Sequence, residues 1–247
     1  MKDFQSQNQR YNQQPAWERP AGGWGGLQPP TAAEVSVSER MAFVRKVYAL
    51  FFAATLFAVG GAGLGLSSPT LLRFAFEHPF IMLFLMIGGV FGAQAVRHVR
   101  GVNMVALFAF TTLTGVVISP LLYYVGQTNP GSILAAGALT VGIFGGLTAY
   151  VFISKRDFSF LRGMVTVGLI VVVVAALVNM FVVSSAFGFA IAAASLLLFS
   201  GFVLYDTSNI IRHYPTNEYI AGALSLYLDA FNIFLALLRL LNAGDRD

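Results

Sequence analysis

The chain has 247 residues, of which 57% are hydrophobic and only 11% charged, and its mean hydropathy is +0.72. A soluble domain carries about 25% charged residues, so this composition cannot cover a water-soluble fold and excludes an ordinary cytosolic enzyme. A net charge of +4 is too small and scattered for a nucleic-acid surface. The lack of cysteine excludes a disulfide framework, a thiol nucleophile and a thiolate metal site.

Residues 1 to about 40 are rich in Gln, Asn, Pro and Gly, as in Gln5-Ser6-Gln7-Asn8-Gln9 and Ala21-Gly22-Gly23-Trp24-Gly25-Gly26. Their apolar content is too low to offset the entropy of ordering, which predicts a disordered, solvated tail. The tail has no apolar run of the kind a cleaved signal peptide needs. Trp17 and Trp24 are its candidates for touching a headgroup layer.

A membrane span needs roughly 20 mostly apolar residues. Such blocks fall at about 47–67, 79–96, 102–122, 132–153, 163–183, 187–206 and 220–241. This predicts an all-α membrane protein, a seven-helix transmembrane bundle occupying residues 41–247. Ser67-Ser68-Pro69, Asn129-Pro130-Gly131, Lys155-Arg156-Asp157 and His213-Tyr214-Pro215 punctuate the blocks. Only the break at Ser184-Ser185 is weak, and it demands a tight turn. The many small residues, such as Gly60-Gly61-Ala62-Gly63, Gly88-Gly89 and Gly145-Gly146, suit close helix packing in a bilayer. No loop exceeds about 13 residues, so function is expected within the membrane.

Basic residues near span ends set orientation. Counted from the N-terminus, the odd flanks hold Arg40, Arg45, Lys46, Arg97, Arg100, Lys155, Arg156, Arg162 and Arg212; the even flanks hold Arg73, Arg239 and Arg246. Nine against three predicts a cytoplasmic N-terminus. Seven spans put the C-terminus outside, and a re-entrant last block returns it inside.

An ionisable group within a span costs about 2.5–3.5 kcal/mol on insertion scales, which makes it a functional candidate. Asp229 lies near the middle of the last apolar block, with Ser225 four residues before it and Asn232 three after, all on one helix face. Asp206, with Asn209 three residues on, sits at the end of the sixth block. Asp229 is about ten residues into the last span, roughly 15 Å deep, so the two carboxyls can meet. Two carboxylates in a low-dielectric site cannot easily both ionise. They would share a proton, and its loss would be a pH-dependent event. Arg97, at the same depth on the second span, is either a flank residue or their counter-charge. His98 and His213 border this face. The lysines, Lys2, Lys46 and Lys155, lie outside the blocks, which excludes a retinal-type Schiff base on the last span. No phosphate loop, metal-binding His pair or intramembrane Ser-His pair appears.

The run Leu226-Tyr227-Leu228-Asp229-Ala230-Phe231-Asn232-Ile233-Phe234, preceded by Tyr205-Asp206-Thr207 and Glu218-Tyr219-Ile220 and followed by Leu237-Leu238-Arg239, resembles the transmembrane Bax inhibitor motif family in its bacterial branch. Lys155-Arg156-Asp157-Phe158-Ser159 and Gly115 with Pro120 fit the same pattern, and the likeness covers roughly residues 40–242. The resemblance implies a last helix central among the other six, in a bacterial inner membrane. It implies a pH-sensitive calcium leak, with Asp206 and Asp229 as the sensor pair and Arg97 as the latch that closes on them. Calcium is then the permeant ion, and no resident cofactor is implied. Six to eight oxygens are its usual shell, so water, Ser225, Asn232 and backbone carbonyls complete a weak site.

Three other readings stay open. An intramembrane aspartyl protease would use two aspartates, but Asp229 follows Leu226-Tyr227-Leu228 rather than Gly-x-Gly, and no Pro-Ala-Leu segment follows. A proton-coupled exchanger would look the same at the aspartates, although no inverted repeat is visible. A regulator acting through protein partners leaves no mark in the sequence.

Overall fold

The computed structural model describes residues 30–97, 99 and 101–244. Trp17, Trp24, His98, Arg100 and Arg246 and most of the predicted tail lie outside the described residues. Among those residues the fold comprises eight α-helices and one 3-10 turn, Ser159–Leu161. The helices are α1 Val37–Ser67, α2 Pro69–Glu77, α3 Pro79–Ala95, α4 Val102–Thr128, α5 Gly131–Ser154, α6 Arg162–Val182, α7 Ser185–Arg212 and α8 Tyr219–Gly244. Six are long and apolar enough to cross a membrane. The pair α2–α3, bent by 94° at its break, brings the number to as many as seven.

The first helix starts at Val37, ten residues before the predicted block. The cause is a capping box: Ser36 Oγ accepts from the Glu39 N–H and a Glu39 carboxylate oxygen accepts from the Ser36 N–H. The preceding residues, assigned by composition to the tail, pack on the protein. Thr31 forms an antiparallel bridge with Pro215. The Ala32 N–H donates to the Tyr214 carbonyl at 2.9 Å, and Arg40 Nε donates to the Ala32 carbonyl at 2.7 Å. Ala32 is fully buried.

The segment between the first two predicted blocks forms α2, with Ser68 as N-cap and Pro69 at the first turn. The weak break near Ser184 is a tight turn, as the spacing demands. Val183 takes a left-handed backbone (φ 48°), and Ser184 Oγ caps α7 by accepting from Phe187 N–H at 3.2 Å.

Burial separates a central helix from peripheral ones. In the most apolar stretch of α8, 67% of residues are buried, against 6% in α6. Phe181, Val167 and Ile170 of α6 point outward, as suits a lipid-facing helix. The last helix is central, as the resemblance implies, but its main walls are four helices rather than six. α8 packs against α1, α4, α5 and α7, while α3 joins the bundle through α4 and α6 through α7. α3 and α6 thus form an outer layer.

The α1–α4 crossing is the tightest contact. A Cβ on Gly61 would stand 2.0 Å from the Thr112 carbonyl oxygen, and one on Gly115 would stand 2.0 Å from the Ala58 carbonyl oxygen. Small residues are required there. Gly145 and Gly146 face open space instead, so the small-residue argument holds for α1 and α4 but not for that pair.

Gly115→Val should cost about 3 kcal/mol through forced separation of α1 and α4. It should sharply lower both the yield of monodisperse protein and the thermal midpoint, while Gly60→Ala, with open space around it, leaves both unchanged. Val183→Gly should raise the midpoint, gaining about 1 kcal/mol once the left-handed penalty of a β-branched residue is relieved and glycine's chain entropy is subtracted.

Candidate functional site

The site lies where α7 and α8 run side by side in opposite directions. α7 continues to Arg212, past the predicted block end at 206. Asp206 is therefore six residues inside the helix, about 9 Å, and Asp229 is ten residues inside α8 from Tyr219, about 15 Å. Both side chains are buried, at 9% and 3% exposure, and their carboxyls face one another closely enough to interact directly. Gly222 seats α8 here, for a Cβ at that position would press on Ile210 and Val47.

Other polar groups close on the pair. Tyr48 of α1 approaches Asp229, together with Thr207 of α7 and Thr148 of α5. The Tyr48 hydroxyl, Thr148 Oγ1, Thr207 Oγ1 and Asp229 Oδ2 are all buried without a hydrogen-bonding partner. Three buried hydroxyls, from Tyr48, Thr148 and Thr207, thus gather beside the carboxyl pair. Tyr214, in the connection between α7 and α8, hydrogen-bonds to Ser225 Oγ at 3.4 Å. Burial, then the nearby Asp206 carboxyl, pushes its phenol up to about 12. It therefore keeps its proton at neutral pH and remains a donor beside the pair.

The supporting residues expected from helix spacing divide. Ser225 turns to Tyr214. Asn232 spends its amide on its own helix, donating from Nδ2 to the Leu228 carbonyl at 2.7 Å. The Asn209 carbonyl accepts from the His213 and Tyr214 N–H groups at 2.7 and 2.9 Å, ending α7. Arg97 follows the last turn of α3, and its Nε is 3.8 Å from a carboxylate oxygen of Glu218, which stands just before α8. This half-exposed pair contributes under about 1 kcal/mol. His213 lies 3.5 Å from Asp157 and is exposed.

Asp157 organises the loop between α5 and α6 beneath α7. One carboxylate oxygen accepts from the Ser159 N–H at 2.9 Å and from Ser208 Oγ at 3.4 Å, while Ser208 in turn accepts from the Phe158 N–H at 3.0 Å. The Ser159 backbone hydrogen bond, assisted by His213 and Arg212, holds Asp157 below the usual carboxylate range. The loop thus pins the α7 segment that carries Asp206, Thr207 and Ser208.

Sequence reasoning sought charges and missed the hydroxyls. A hydroxyl costs far less to bury than a carboxylate, so nothing in an apolar block singles out Tyr48, Thr148 or Thr207. Only the adjacency of Thr207 to Asp206 was a usable signal.

The profile of the family described as "Inhibitor of apoptosis-promoting Bax1" matches residues 40–246. This chain belongs to that family of Bax inhibitor-like membrane proteins. A Helicobacter pylori protein is 35% identical over 212 residues, covering 85% of this chain and 90% of that protein. Mouse Protein lifeguard 4 is 33% identical over 217 residues, covering 87% and 90%. Bax inhibitor 1 of Schizosaccharomyces pombe is 34% identical over 213 residues, covering 85% and 79%. The likeness thus spans the whole helical bundle, including both aspartate-bearing helices, and it establishes an integral membrane protein.

Asp157→Asn should loosen the loop against α7. Hydrogen exchange of the Phe158 and Ser159 amides should quicken several-fold at neutral pH. A lowered carboxylate stabilises the folded state above its unfolded pKa, and that support is lost as pH falls through the depressed value. The difference between variant and wild type should therefore narrow below the ordinary carboxylate range.

Proposed function

We propose that this protein is a pH-sensitive calcium leak whose gate is the Asp206–Asp229 pair. The observation that carries the proposal is the buried pair itself, set against the unpartnered oxygens of Tyr48, Thr148 and Thr207. Two carboxyls this close and this sheltered do not both carry charge without compensation. With a shared proton the pair is one charge short of its full acidity. With that proton lost it attracts a hard cation, which takes oxygen ligands.

The neighbouring hydroxyls and water supply the remaining ligands. The site is weak and partly hydrated, which suits conduction better than tight retention. Tyr214 stays protonated beside the pair, hydrogen-bonded to Ser225. Arg97 is the latch: held by Glu218 at one end of the bundle, it ties α3 to the start of α8, and it serves as counter-charge for the aspartates when that pair parts. The end bearing Arg97, Lys155 and Arg212 faces the cytoplasm of a bacterial inner membrane, following the excess of basic residues there. The substrates are calcium ions and protons. An enzymatic role is not part of this reading, and partners in stress or cell-death signalling belong to the alternative of a membrane regulator.

Calcium entry into dye-loaded proteoliposomes, followed from about pH 6 to 8, tests the proposal. Wild type should leak in a pH-dependent manner. Asp206→Asn and Asp229→Asn should each shift or flatten that dependence, and Tyr48→Phe should reduce flux several-fold without moving it. Flux no greater than that of empty liposomes at every pH overturns the channel. Flux strictly coupled to counter-moving protons replaces the leak with an exchanger.

A further inference from the structure

At the opposite end of α8 from the connection to α7 lies a cavity of about 520 Å³. It opens between the two outer helices, α3 and α6, with α7 and α8 behind it. Leu83, Val173 and Phe189 make its apolar walls, and Arg239, Asn242, Ser185 and Asn179 supply its polar groups. Arg239 lines the cavity and is exposed. Among the described residues no carboxylate pairs with it, and none lines the cavity.

Arg239 is the one charged group of the lining. Arg239 offers five N–H donors and a fixed charge. Asn242 turns its Oδ1 toward Thr128 Oγ1 at 3.4 Å, and its NH₂ has no partner among the described residues. Ser185 opens α7, whose N-terminus carries positive partial charge. Such a set recognises an anion with several acceptor oxygens, and a guanidinium fork matches a phosphate in particular.

Depth identifies its source. Arg239 is five residues, about 7.5 Å, from the end of α8, and the headgroup layer occupies the outer 5–7 Å or so of each leaflet. The remaining walls are apolar, and α6, which flanks the opening, is the helix most exposed to lipid. A soluble anion gains nothing from those walls, whereas the acyl chains of a lipid do. We infer that this cavity is a binding site for an anionic phospholipid, with the phosphodiester on Arg239 and Asn242 and an acyl chain along the α3–α6 seam. No part of the inference depends on ion conduction.

The test is lipid retention by the full-length protein, extracted from nanodiscs of equal phosphatidylglycerol and phosphatidylcholine and weighed by native mass spectrometry. Wild type should keep phosphatidylglycerol in preference to phosphatidylcholine. Arg239→Gln should cut retention about ten-fold, equivalent to ~1.4 kcal/mol, and Arg239→Lys should cut it less. Arg73→Gln, which alters an exposed ion pair elsewhere, should leave it unchanged. Ala176→Phe fills the cavity wall while leaving Arg239 intact and should also expel the lipid, so a folding failure of the arginine variant does not end the test. Equal retention of the two lipids, or retention undiminished in both Arg239→Gln and Ala176→Phe, overturns the inference. So does full displacement by inorganic phosphate, which would make the cavity a free-anion site.

Discussion

Placing two carboxyls side by side within apolar helices is the constraint around which the bundle is arranged. Each acid alone costs a few kcal/mol in a span, and together they repel if both are ionised. A fold carrying such a pair must keep lipid away, supply polar neighbours and hold the two helices in fixed register. Each requirement has a structural answer. Asp229 rides on the helix best shielded from the membrane. Tyr48, Thr148, Thr207 and Tyr214 arrive from α1, α5, α7 and the α7–α8 connection. Gly222 lets α8 lie close against Ile210 and Val47 beside the pair.

The surroundings extend that logic outward. The Asp157 loop grips α7 next to Asp206, and the 30–36 segment crosses the α7–α8 connection through Thr31, Ala32 and Ala33. Both act at the end of the bundle where the pair is shallowest. At the other end the one charged group of the cavity is Arg239. α8 therefore runs from an acidic site to a basic one about ten residues, or 15 Å, apart. A cation moving along it would meet opposite fields, and an anionic lipid on Arg239 would soften the second.

Much of this was legible from residue order because the signals were strong and local. Apolar blocks gave the long helices nearly in place, and the rarity of acids in those blocks singled out Asp229 and Asp206. What was missed depended on weaker or non-local features. The start of α1 was readable in Ser36-x-x-Glu39 but hidden by the polar composition around it. The α2 helix is too short to announce itself. The hydroxyls of Tyr48 and Thr148 become part of the site only because α1 and α5 pack on α8, and no spacing along one helix reveals that. Asn232 shows the converse. It shares a face with Asp229, yet its amide is satisfied by its own backbone. Shared helical phase marks which residues can meet a site, while competition for nearby carbonyls decides which do.

If Asp206 and Asp229 gate the proposed leak, they act as one titrating unit within the membrane. Infrared difference spectroscopy of the protein in lipid, stepped through pH with isotope-labelled aspartate, reads that unit without reference to flux. A protonated-carboxyl band should titrate, and its titration curve should change in both Asp206→Asn and Asp229→Asn. Absence of any titrating carboxyl band, or a curve unmoved by either substitution, would contradict it.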